Sequence, residues 1–112
     1  MVRQILEDFR HSDLADAAIP ESVPIRITEN GWPTNSARSY ERQAQVLESV
    51  VRTIHKLRNE LNITHYELFS LRDADSSNDN IFHQFGIQRD DYTPKPAFGI
   101  YKQLISELGR KW

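Results

Sequence analysis

From Tyr40 to Leu61 the apolar positions Tyr40, Ala44, Leu47, Val51, Ile54, Leu57 and Leu61 step by three and four, which aligns them along one face of an α-helix. Ser39 stands at the N-cap position, where a hydroxyl can accept from the first free backbone N–H groups. A helix with so long an apolar face must cover something, and two strand-like runs flank it. Upstream, Val23, Ile25 and Ile27 alternate with Pro24, Arg26 and Thr28, and the run closes at Glu29, the pattern of a short strand. Downstream, His65 to Leu71 is rich in aromatic and aliphatic residues and suits a second strand. Strand, helix, strand in that order is a βαβ unit, whose strands run parallel through a right-handed crossover.

The rest of the chain extends this pattern. Val2, Ile5, Leu6 and Phe9 recur at helical spacing. Ala15, Ala17 and Ala18 either continue that helix or form a second piece after Ser12-Asp13, and Pro20 ends it. Residues 30–36 form a turn-rich loop, and 73–80 is a polar loop of Asp, Ser and Asn. Phe82 to Thr93 is mixed, with room for a short ribbon around Phe85-Gly86-Ile87. Pro96 suits the first turn of a last helix with Ala97, Tyr101, Leu104, Ile105 and Leu108 on one face and Gly109 near its end. The order helix, strand, helix, strand, helix predicts an α/β fold with parallel strands, a single unit over residues 1–112.

Composition narrows the function classes. A formal charge of -2 with acids and bases interspersed gives no footprint for a phosphate backbone, so nucleic acid is not an expected partner. No apolar run approaches the ~20 residues of a membrane helix. Cysteine is absent, which removes disulfides and thiolate chemistry. Met1 to Asp8 is amphipathic where a secretory leader is continuously apolar, so the default location is cytoplasmic.

The chemistry centres on Thr28-Glu29-Asn30-Gly31-Trp32-Pro33-Thr34, a carboxylate at the C-terminal end of a strand followed by a glycine turn and a tryptophan. Ile25 to Trp32 resembles the seventh strand of clan A retaining glycoside hydrolases. Tyr66-Glu67-Leu68-Phe69-Ser70-Leu71-Arg72-Asp73 resembles their eighth strand, and Phe85-Gly86-Ile87 with Tyr92-Thr93-Pro94-Lys95-Pro96-Ala97-Phe98 resembles their closing segment. The three matches are collinear and cover nearly the whole chain. The resemblance implies a partial (β/α)8 (TIM) barrel. A complete one needs ~250 residues, against the 112 of this chain. It also implies hydrolysis of O-glycosyl bonds in a carbohydrate, with Glu29 as nucleophile and Trp32, Phe69, Arg72 and Asp73 nearest the sugar.

Each of these residues has a plainer reading. Glu29 can be a solvated residue ending a strand, Trp32 can pack its loop onto the long helix, and Arg72 with Asp73 can form a local ion pair. One departure from the family pattern matters more. Retention needs a second carboxylate about 5–5.5 Å from the first, which in the family follows an asparagine at the end of the fourth strand. Here Asn59-Glu60 lies in the long helical pattern, so the chain is expected to lack the acid/base and to be inactive alone. An inactive carbohydrate-binding or oligomerisation module is the alternative.

No cofactor or metal is expected. Asp73 to Asp79 places oxygens as a calcium loop does, but Asn78 stands where the glycine belongs and Gln84 where the bidentate acid belongs. His11, His55, His65 and His83 lack metal-ligand spacing, and the acceptor pattern Asn62-Ile63-Thr64 is read as chance without a leader. Two parallel strands leave two free edges and an uncovered face, so the chain is expected to associate with itself or with the missing barrel portion.

Overall fold

The computed structural model describes residues 1–112. The N-terminal helical arm is α1 (Val2–Asp8), a π-helical turn (Phe9–Asp13) and α2 (Leu14–Asp16). There follow β1 (Ile25–Asn30), α3 (Tyr40–Leu57), β2 (Ile63–Leu68), a 3-10 turn (Ile81–His83) and α4 (Pro96–Leu108). β1 and β2 are parallel neighbours, Ile25 opposite Ile63 and Ile27 opposite Tyr66. This is an α/β fold with the element order the sequence predicts.

α3 is the organiser. The Ser39 hydroxyl accepts from the Arg42 N–H at 3.0 Å, and Ala44, Leu47, Val51, Ile54 and Leu57 form its buried face. The lower half of that face packs with Ile25, Leu61 and Ile63 against the sheet, joined by Leu6 and Leu14 from the N-terminal arm. The upper half packs with Ile87, Ala97 and Leu104. The N-terminal arm and α4 thus flank α3 on opposite sides, and all the helices cover one face of the sheet.

The other face is open and polar. Arg26, Thr28 and Glu29 on β1 and Thr64, His65 and Glu67 on β2 are exposed, whereas Ile25 and Ile63 on the covered face are buried. The molecule is a slab of 45 × 29 × 19 Å with a radius of gyration of 15.4 Å, larger than the ~13 Å of a compact chain of this length. It has two layers and not the three of a sheet covered on both faces.

The second strand departs from the sequence expectation. It begins at Ile63 because Asn62, at φ 51°, turns the chain, and Leu61 and Ile63 on either side are both buried. It leaves the β1 pairing after Leu68, since the expected strand residues Ser70 and Leu71 bond elsewhere. The Ser70 N–H donates to the Phe85 carbonyl at 3.2 Å, and the Ile87 and Gln88 N–H groups donate to the Ser70 and Leu71 carbonyls at 3.1 and 2.9 Å. The short ribbon expected around Phe85-Gly86-Ile87 is this pairing.

Candidate active site

The pairing of β1 with β2 contains two irregularities, and one decides where Glu29 stands. Ile27 is opposite Tyr66 but Asn30 is opposite Leu68, so β1 carries one more residue than β2 over this stretch. Such a bulge breaks the alternation of side chains. Ile25 is buried and Ile27 half-buried on the helix side, and strict alternation would send Glu29 the same way. With the extra residue, Thr28 and Glu29 are both exposed and Asn30 takes the half-buried place. There its side-chain oxygen accepts from the Tyr66 hydroxyl at 3.0 Å, and burial raises the Tyr66 pKa well above the usual phenol value.

The loop after Glu29 is seated closely. A Cβ on Gly31 would lie 1.8 Å from the Phe69 carbonyl oxygen, so only glycine lets this turn meet the end of β2. The Trp32 carbonyl accepts from the Gln43 side-chain amide at 3.1 Å, and the same amide donates to the Gly86 carbonyl at 3.0 Å. The Arg38 guanidinium lies 4.9 Å over the Trp32 ring. The ring borders a small pocket of about 160 Å³ with Val46, Val50 and Phe85. Trp32 is half-buried, its backbone tied to α3 through Gln43 and one face of its ring under Arg38.

Phe69 is 43% exposed, its ring edge-on to Phe85 at 5.4 Å. Arg72 is exposed as well; it donates to the Asp90 carbonyl at 3.1 Å and lies 5.0 Å over the Tyr92 ring. Asp73 is different. It does not pair with Arg72, because adjacent residues of an extended segment point to opposite sides. Its carboxylate is fully buried against Lys95 at 2.8 Å and accepts from the Gly86 N–H at 2.8 Å and the Ser76 hydroxyl at 2.8 Å. No free oxygen of Asp73 faces a ligand at the surface.

Lys95, which no local pattern in the sequence marks as buried, completes this network. It donates to the Thr34 hydroxyl at 3.0 Å and lies 4.9 Å over the Tyr40 ring. Burial lowers its pKa, and the bond to Asp73 opposes that shift. One ammonium therefore ties the loop after β1, the loop after β2 and the segment entering α4 at the strand-end face where Glu29 stands.

Arg10, on the π-helical turn, was also invisible to periodicity. It is 2% exposed and caps the opposite end of the sheet through the Leu61 carbonyl at 2.9 and 3.0 Å and the Val23 carbonyl at 2.8 Å.

The acids of the polar loop have separate partners. Asp75 accepts from the Ser77 N–H and hydroxyl and Asp79 from those of Ser36. No group of three or more acidic or histidine side chains is placed to hold a metal. Asn62 donates its side-chain amide to the Glu21 and Ser22 carbonyls at 3.0 and 3.2 Å, a role in joining the turns before the two strands. No helix is long and apolar enough to cross a membrane.

Among solved structures, the chain is similar to a family 39 glycoside hydrolase from the gut symbiont Bacteroides cellulosilyticus, with a TM-score of 0.63 and 24% identity. The match covers 80% of this chain and 17% of that one. At this identity the likeness speaks for the fold, an α/β segment of the barrel kind. No family model matches the chain, and no curated protein does.

Proposed function

We propose that the chain is the strand-seven and strand-eight portion of a retaining O-glycoside hydrolase barrel, with Glu29 as the nucleophile and the acid/base supplied by strands outside this chain. The observation that carries the reading is the bulge at Thr28–Glu29. It turns a carboxylate at the C-terminal end of a parallel strand onto the open face of the sheet, and in a barrel that end bears the active site. The neighbour's being a glycoside hydrolase of much greater length agrees with this reading. Phe69 and Arg72, both exposed at the same end, and the half-buried Trp32 are the candidates for contact with a sugar; Asp73 is held in the scaffold by Lys95.

The mechanism follows from two needs. Glu29 attacks the anomeric carbon to form a glycosyl ester, and a second carboxyl protonates the departing oxygen and later deprotonates water. Asp73 cannot be that second group while it holds Lys95 and the Gly86 N–H. The isolated chain is therefore expected to leave natural glycosides intact. A catalytically silent carbohydrate-binding module is the second reading, and the commitment of Asp73 to the scaffold is what favours it.

The test uses a fluorinated aryl glycoside, whose leaving group departs without protonation, with mass spectrometry to find the adduct. No labelling is expected on the chain alone. With an N-terminal portion that completes the barrel, the label should appear on Glu29 and vanish in Glu29→Gln. Label on another residue of the completed barrel, or turnover of natural substrate by the chain alone, would refute the assignment.

A further inference from the structure

The bulge that exposes Glu29 leaves it without a hold of its own. Thr28 and Glu29 lie between Ile27, which packs on the core, and Asn30, and the extra residue of a bulge is unpaired. Glu29 has no ion-pair partner in the chain. Its direction must therefore come from a neighbour, and Asn30 is the neighbour that the end of β2 holds twice. The Phe69 N–H donates to the Asn30 carbonyl at 2.8 Å, and the Tyr66 hydroxyl donates to the Asn30 side-chain oxygen at 3.0 Å. The backbone bond fixes where residue 30 stands along the sheet; the side-chain bond fixes which face its side chain takes. Tyr66 is a firm anchor, because its ring packs against both halves of the core.

We infer that Tyr66 and Asn30 are a positioning pair for Glu29: the phenol keeps the Asn30 side chain on the helix side of the sheet and so keeps the carboxylate before it aimed at the open face. Successive residues of a strand point to opposite faces, so a side chain pinned inward at position 30 sends that of position 29 outward, as the exposure of the two residues shows. An amide turned toward the helix layer without a partner is costly, and the Tyr66 hydroxyl removes that cost. The charge of Glu29 keeps its carboxylate wet. Wetness alone leaves the group free to swing, whereas attack on one carbon requires a fixed aim. The inference rests on the reading of Glu29 as the nucleophile, and both residues act through Glu29 from the far side of the sheet.

Tyr66→Phe removes the hydroxyl, keeps the ring and leaves the Asn30 amide unpaired. In the chain alone, hydrogen exchange of the Phe69 amide, whose acceptor is Asn30, should speed up roughly tenfold, the scale of losing one bond with its partner left unmet. The Leu61 amide, bonded to Leu57 at the other end of the sheet, should keep its native rate. In the barrel completed by an N-terminal portion, labelling of Glu29 at saturating fluorinated glycoside should slow by a similar factor, with the half-saturating concentration unchanged. Adding Asn30→Leu makes both members of the pair apolar, which is close to neutral where a single loss is not, and should restore native exchange and native labelling. An equal rise at Phe69 and Leu61 would mean general loosening and would overturn the inference. So would exchange at Phe69 or labelling of Glu29 that Tyr66→Phe leaves unchanged, or a double variant that recovers neither. A completed native barrel that takes no label at Glu29 would refute the nucleophile and not the pair, which the exchange rates decide without any sugar.

Discussion

At Lys95 a single ammonium holds Asp73, Thr34 and the face of Tyr40, and both members of the Lys95–Asp73 pair are fully buried. Removing one partner leaves the other as an uncompensated buried charge. Lys95→Met should therefore cost about 3–5 kcal/mol in urea unfolding; a loss under about 1 kcal/mol, the scale of a surface pair, would show that the network is dispensable. His55 offers a test in pH. Its ring stands edge-on to Trp112 at 5.6 Å, and burial, then the nearby Arg58 guanidinium, lowers its pKa from 6.5. Below pH 6.5 the unfolded chain then binds more protons than the folded one, so stability is full above that pH and declines as pH falls toward the depressed folded value. Thermal unfolding between pH 7.5 and 5 should show this decline, and His55→Phe should flatten it. An equally steep slope in the variant would assign the decline to other groups. Glu29 was legible as a strand-end residue, but the burial of Lys95 and Arg10 was not, since no local pattern reports which distant carbonyls and carboxylates will surround a cation.

Among the elements, α3 shows the balance between local and tertiary terms. Its cap and its core face are both readable from the sequence, yet they differ in weight. Ser39→Ala removes one capping bond and should cost about 1 kcal/mol. Leu57→Ala, at a side chain with no exposed area, should cost about 2–5 kcal/mol because it leaves a cavity between α3 and the sheet. Equal costs by urea titration would mean that the contact between α3 and the sheet is looser than the packing shows. The strands were less legible than the helices. An aromatic and aliphatic run at 65–71 marks a strand but not its partner, and the partner is what moved the boundary: Ser70 and Leu71 bond to the 85–88 segment and not to β1. The bulge at Thr28–Glu29 was also hidden, because it is a mismatch in count between two strands and neither strand alone contains it.

The whole molecule is a two-layer slab with its helices on one face and polar side chains on the other. Its open face exposes Arg26, Glu29, His65 and Glu67, and an apolar groove lies at the edge of β2 beside α4. The sequence by itself determined the class of fold, the order of elements, the core face of α3 and the strand-end position of Glu29, because periodicity, capping and turn residues act within a few residues of one another. The tertiary structure alone decided the direction of Glu29 and the commitment of Asp73 to Lys95. The first depends on the count of residues in a neighbouring strand and the second on a partner in another segment of the chain, and such partners are chosen only when the chain closes on itself.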